Sequence, residues 1–183
     1  TLVAGNNNLI GGWAITGGTE FASYVGATGV GALNQTGYAG YTGTTMPASN
    51  AAANIRLVAN GAVPASPYQL NSLNLVGASN VTFTSDAAAN ALNLVSGGLL
   101  HSGASASIGA TGAGTRGALT SGGGAATPTE LFVTNTANTL TINSQIIDSG
   151  VVGATTALVI SGGATVTLAP QVANTYTGGT IIN

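Results

Sequence analysis

One unit recurs along the chain and limits what it can fold into. Two apolar residues stand at i and i+2, a short Gly, Ser or Asn segment follows, and in most copies a second apolar pair closes the unit. The copies are LNLVGASNVTF (73–83), LNLVSGGLL (92–100), LFVTNTANTLTI (131–142) and LVISGGATVTL (158–168). The closing pairs are Val81/Phe83, Leu140/Ile142 and Val166/Leu168. Alternation with period two places each pair on one face of a strand. Gly and Asn supply the positive-φ corners that let the chain turn sharply between strands. The unit therefore predicts an all-β chain. The Ala runs at 51–53 and 87–89 are short and flanked by Asn, which argues against helix.

The first Leu of each unit falls at 73, 92, 131 and 158, giving steps of 19, 39 and 27 residues. Steps of roughly 20–30 residues suit one turn of a solenoid. The long step predicts an inserted loop at 102–129, a Gly/Ala/Ser/Thr-rich stretch whose large apolar residues are Ile108 and Leu119. Residues 61–183 read as regular coils. Residues 1–60 read as less regular, aromatic-containing coils of the same domain, with a loop over 26–50. Pro64 and Pro67 mark a further excursion before Leu70.

Charge is nearly absent: charged residues are 3% of the 183, against about 25% in ordinary globular proteins. They are Glu20, Arg56, Asp86, Arg116, Glu130 and Asp148, spread without a run or patch. Two basic residues cannot neutralise a phosphate backbone or an anionic membrane surface, so no nucleic acid is expected as a partner. Stacked coils place like above like. Asn and Thr satisfy one another in such ladders, whereas like charges repel, which gives a physical reason for the composition. There are no cysteines, so there is no disulfide or thiolate chemistry. No apolar run reaches the roughly 18 residues of a membrane-spanning helix, so this chain is not expected to insert in a membrane. The opening residues do not form a charged and then apolar leader, and the chain is expected to be a processed product or a segment of something longer.

The stretch ANTYTGGT (173–180), together with 158–168, resembles the autotransporter-associated β-strand repeat, also called the passenger-associated transport repeat. Over 11–150 the order of GGW, NIRL (54–57), the Leu73 unit and SGGL (96–99) is similar to the long repeats of giant exported bacterial surface proteins. The link APQV (169–172) departs from the repeat by lengthening it, and no C-terminal membrane barrel accompanies it. The resemblance implies a right-handed parallel β-helix, a location outside the cell or on its surface, and no catalytic residues or cofactors.

In that pattern the closing TIIN (180–183) should run on into a residue or two and then Gly and Thr-Leu, and the chain opens TLVAG (1–5). Tail joined to head nearly restores a strand and its corner. The expectation is one period of an array, cut from a tandem repeat or stacked as separate copies, with no cap at either end. The junction residues would be Leu2, Val3, Tyr176, Ile181 and Ile182, and the partners copies of this chain, head to tail.

Other functions carry weaker signals. Trp13, Tyr24, Tyr38 and Tyr41 could stack on sugar rings as an adhesin or glycan-binding module for surface polysaccharide. Against that, aromatics usually fill a core. His101, the one histidine, is expected at a corner or on the surface. A glycosidase needs two opposed carboxylates, and four scattered acids do not point to one. Clustered carboxylates for calcium are missing from the sequence, and the Gly112-Ala-Gly114 stretch lacks the strand and acidic partner of a dinucleotide site.

Overall fold

The computed structural model describes residues 8–64 and 68–183. Leu2, Val3 and the excursion at 65–67 lie outside them. Ile15–Thr16 (β1), Glu20–Val25 (β2) and Gly29–Ala32 (β3) form an antiparallel sheet in the order β1-β2-β3. The rest of the chain continues with Asn54–Leu57 (β4), Gly61–Val63 (β5), Tyr68–Leu75 (β6), Val81–Phe83 (β7), Ala91–His101 (β8) and Ala106–Ile108 (β9). Ala118–Ser121 (β10), Thr129–Asn135 (β11), Leu140–Ile142 (β12), Gln145–Ile146 (β13), Thr156–Ser161 (β14), Val166–Leu168 (β15) and Thr180–Ile182 (β16) follow. Every pairing among β4–β16 is parallel. The helical content of the described residues is a single 3-10 turn at Gly122–Gly124. The chain is all-β, as the period-two units predict, and its strands from β4 onward form parallel sheets.

The strands are dealt out in turn. Strands β5, β7, β9, β12 and β15 line up in one sheet. Strands β4, β6, β8, β11, β14 and β16 pair in a second, where β10 joins the first half of β8 and β13 joins β10. The register stacks apolar on apolar. Ile55, Leu73, Leu99, Val133, Ile160 and Ile182 follow one another across six strands. Tyr68, Leu92, Leu119 and Ile146 make a second ladder, and Val81, Ile108, Ile142 and Leu168 a third. Apart from the exposed Ile182 and Leu168, these ladders share one buried cluster, with Val166, Ile160 and Tyr176 half-buried against it.

Two expectations are corrected by this register. Leu92 does not stack on Leu73; it stands between Tyr68 and Leu119, and the partner of Leu73 is Leu99. The sequence LNLVSGGLL carries two strand faces and a corner, and its opening LNL imitates the Leu73 unit although it belongs to the other face. The segment 102–129 is not a bare insertion either. It contains β9 and β10, and its two large apolar residues, Ile108 and Leu119, are fully buried ladder members. The long step is real, but its extra residues lie in the links on either side of β10.

The corners depend on glycine at close approaches. In β8, residues 95–97 stand opposite Asn71 alone, because Leu70 pairs with Leu94 and Ser72 with Gly98. Gly97 absorbs this bulge at φ 74°, and a Cβ there would collide with the Glu130 carbonyl.

The expectation of coils over 1–60 is corrected in part. Strands β1–β3 form an antiparallel sheet in place of coils, whereas Gly43 and β4 pair in parallel with the stack. The β1–β3 sheet sits against the outer side of β8, where Leu9, Phe21 and Leu33 bury Leu100. Gly98 makes room for this, since a Cβ on it would lie 2.9 Å from the Phe21 ring. Nor is the N-terminal edge of the parallel stack uncapped. Gly43 bridges Ile55 in parallel, and the Arg56 and Val58 amides donate to the Gly43 and Thr44 carbonyls at 3.0 and 3.3 Å. Met46 packs beside Gly61 and Leu57 on the core, and the Tyr68 hydroxyl donates to the Pro47 carbonyl at 2.7 Å. Burial pushes the Tyr68 phenol up to about 12.

Gly97→Ala should therefore lose about 1–3 kcal/mol from backbone strain alone, and more from the collision. Gly112→Ala, which meets open space, should change stability by less than about 0.5 kcal/mol. Urea unfolding of the two variants measures the difference.

Candidate functional site

The side of the stack away from residues 42–44 is where the expected junction residues can be placed. Among the described residues no strand pairs with the far side of β16 or β15. Ile182 continues the inner ladder after Ile160 and is 76% exposed, with no described strand stacked on it. Ile181 alternates to the outer face, below Val159, and is 48% exposed. The two isoleucines are thus not equivalent: Ile182 carries the core onward and Ile181 does not. Tyr176 is tucked against the core, with its hydroxyl 2.6 Å from Thr180 Oγ1. Leu168, at the end of β15, is also exposed.

The NTYTGG stretch is fastened to the preceding rung by side chains. Asn174 Oδ1 accepts from the Ile146 amide at 2.8 Å, and the Thr175 amide donates to the Ile146 carbonyl at 2.9 Å. Asp148 accepts from the Thr156 amide at 2.6 Å, the Thr177 hydroxyl at 2.8 Å and the Thr177 amide at 3.1 Å. Gly178 lies so close to Thr156 that a Cβ would press on its carbonyl at 2.6 Å. Desolvation opposes ionisation of Asp148, but the donors from Thr156 and Thr177 outweigh it and hold the carboxyl below the usual range.

The four aromatics expected on a glycan face separate. Tyr41 belongs to a buried polar network. Its hydroxyl donates to Glu20 Oε2 at 2.8 Å and accepts from Asn74 Nδ2 at 3.1 Å, while Glu20 Oε1 meets Arg56 Nε at 3.2 Å. Burial, with the Glu20 carboxylate beside it, raises the Tyr41 phenol well above its ordinary value. Tyr38 lies across Gly31, its hydroxyl near the Thr28 and Gly29 carbonyls. Tyr24 is 37% exposed and pairs across the hairpin with Val30. Trp13, at 60%, is the one of the four that stands free, its indole resting over Gly11.

Trp13 lines a groove of about 270 Å³ with Leu9, Ile10, Val95, Glu130 and Phe132, floored by Gly11 and Gly12. Glu130 and Phe132 alternate outward on β11, while Leu131 and Val133 fill the core. A larger groove of about 350 Å³ runs along Gln69, Asn93 and Thr120. Its amides already serve Gly123: Gln69 Nε2 donates to the Gly123 carbonyl at 3.3 Å and Asn93 Oδ1 accepts from the Gly123 amide at 2.9 Å.

The acids are not brought together. Glu20 pairs with Arg56, Asp86 with Arg116 at 3.3 Å, and Asp148 holds the last rung. The Gly114 and Arg116 amides, with the Arg116 charge, hold the Asp86 carboxyl low. The Glu130 side chain has no ionic or hydrogen-bond partner among the described residues, while its backbone pairs with Ala157. No three His, Cys, Asp or Glu side chains among the described residues could share a metal ion. His101 is neither on the surface nor in a loop: it is the last residue of β8, paired with Leu75 and Asn135 and fully buried, which corrects the expectation. The Asn135 amide donates to the Asn138 and Thr165 carbonyls at 3.0 and 2.6 Å, which turns its Oδ1 toward His101 Nδ1 at 2.8 Å. His101 Nε2 lies 2.7 Å from the Ala104 carbonyl.

Comparison with protein families, with curated proteins and with solved structures finds no match to this chain. Sequence reasoning missed the Trp13–Glu130–Phe132 groove, whose members are more than a hundred residues apart. It also missed the part played by Asp148. The signal for Asp148 was its place ahead of a Thr-rich repeat end.

Because the folded state holds the Asp148 carboxyl low, the stability it contributes is present above its unfolded value of about 3.9 and lost as pH falls through the folded value. Asp148→Asn should melt a few degrees below the parent between about pH 5 and 7. The gap should shrink below about pH 4, and thermal melts across pH read it directly.

Proposed function

We propose that the chain is a non-enzymatic structural segment of the autotransporter-associated repeat type. In this reading it is exported, lies on the cell surface or outside the cell, and lengthens a fibre or stalk by end-to-end stacking. Its parallel strands form a right-handed β-helix in which β4–β16 are successive faces of stacked coils. The alternation of strands between two parallel sheets supports that reading, as does the preference of parallel crossover connections for the right-handed path. The partners are copies of the chain, joined through backbone pairing at the C-terminal edge.

The observation that carries the proposal is the Ile55-to-Ile182 ladder, which reaches the C-terminal edge with its last member exposed. An unpaired strand edge with an apolar inner row templates further pairing unless something covers it. The two ends differ in this respect. The edge of β4 is taken by residues 42–44, so in a head-to-tail stack the C-terminal edge of one copy meets this covering segment of the next and not β4 itself. The commitment of Glu20, Asp86 and Asp148 to partners within the fold supports the absence of catalysis.

Negative-stain electron microscopy and light scattering across concentration test the proposal. The parent chain should form filaments whose length grows with concentration. Ile182→Lys should abolish them by placing a charge in the continuing core, at a cost of several kcal/mol. Ile181→Lys, on the outer face, should weaken them less. Monomers at every concentration, or closed pairs joined tail to tail, would overturn the fibre reading.

A further inference from the structure

We infer that the groove formed by residues 9–13, Val95 and Ser96 of β8 and Glu130 and Phe132 of β11 binds an alkylated ammonium group, held between the Trp13 and Phe132 rings and neutralised by Glu130. The inference is independent of stacking, because the groove lies on the outer face of the sheet. It begins from the disposition of charge. Three of the four acids have partners within the fold, and Glu130 stands without one among the described residues, in the same groove as the most exposed aromatic ring.

The available hydrogen-bonding groups decide the class of ligand. Ser96 is spent, donating to the Asn71 carbonyl at 2.7 Å and accepting from the Gly98 amide at 3.3 Å. What the groove offers is a carboxylate, one indole N–H, two aromatic rings and the apolar side chains of Leu9, Ile10 and Val95. A sugar presents many hydroxyls, each both donor and acceptor, and would leave most of them unanswered. A methylated ammonium needs no acceptor of its own. It presents apolar methyl groups and diffuse positive charge, which suit an indole face and a carboxylate. The scarcity of other charge in this chain leaves Glu130 with little competition.

Trp13 is the sole tryptophan, so its emission reports on this groove alone. Titration of the full chain with choline should quench that emission saturably in the millimolar range, and added salt should weaken the effect. Glu130→Gln, an exposed change that leaves the fold intact by circular dichroism, should bind choline about fivefold more weakly. Trp13→Ala should lose binding by calorimetry. Vesicles of phosphatidylcholine distinguish the source: co-sedimentation lost in Glu130→Gln places the ammonium on a lipid headgroup, and choline binding without co-sedimentation places it on a soluble ligand. No saturable change up to about 100 mM choline, equal binding by Glu130→Gln, or saturation by neutral oligosaccharides in place of choline would each overturn the inference.

Discussion

Parallel register is the constraint on which the rest depends. Each rung is fixed to the next by backbone bonds, and a slip of one residue would turn every ladder residue from core to solvent. The ladder Ile55–Leu73–Leu99–Val133–Ile160–Ile182 survives although the links between its rungs differ widely in length. From Gly43 through those residues the steps are 12, 18, 26, 34, 27 and 22 residues. Constant register with variable length means that the extra residues must leave at the corners. That is where glycine at positive φ is found, and where side-chain amides such as Asn54, Asn71 and Asn135 tie one rung to another.

The sequence of steps also explains how the stack closes at one end. Each step toward the N-terminus from Val133 is shorter, and the step from Gly43 to Ile55 is too short to supply another full layer. Met46 packs on the core there, and the Pro47 carbonyl accepts from the Tyr68 hydroxyl. Toward the C-terminus the steps remain long enough for a full layer. The covered edge of β4 thus follows from the short link between Gly43 and Ile55, and no helix covers it among the described residues.

The all-β character and most core residues were legible in the sequence, because alternation marks them directly. Register was not. LNL occurs at 73–75 and again at 92–94, and nothing local says that the second copy faces Tyr68 and Leu119 while Leu99, seven residues on, takes the place under Leu73. The segment at 102–129 misled for the opposite reason: a strand needs only two or three apolar residues when its neighbours already define the layer, so Ile108 and Leu119 were enough. The antiparallel N-terminal sheet was hidden by glycine, which suits a loop as well as the close contact that Gly12 and Gly98 make there. Adjacent Ile181 and Ile182 looked alike, yet alternation puts one outside and one in line with the core.

Charge economy joins these points. In a stack of parallel rungs a charged side chain has a neighbour above and below along its ladder, so it is tolerated where the ladder breaks. Arg56 is followed by Asn74 and then Leu100, and its partner Glu20 comes from the antiparallel sheet outside the stack. Asp86 and Arg116 meet across loops, and Asp148 sits where the last rung is fastened. Each of these charges closes a contact that the ladders do not supply. Glu130 lies at the start of β11 beside residues 9–13, and the described residues provide no ionic or hydrogen-bond partner there for its carboxylate. A carboxylate kept in a chain that has almost dispensed with charge, and kept beside exposed indole, is physically consistent with a partner that comes from solution.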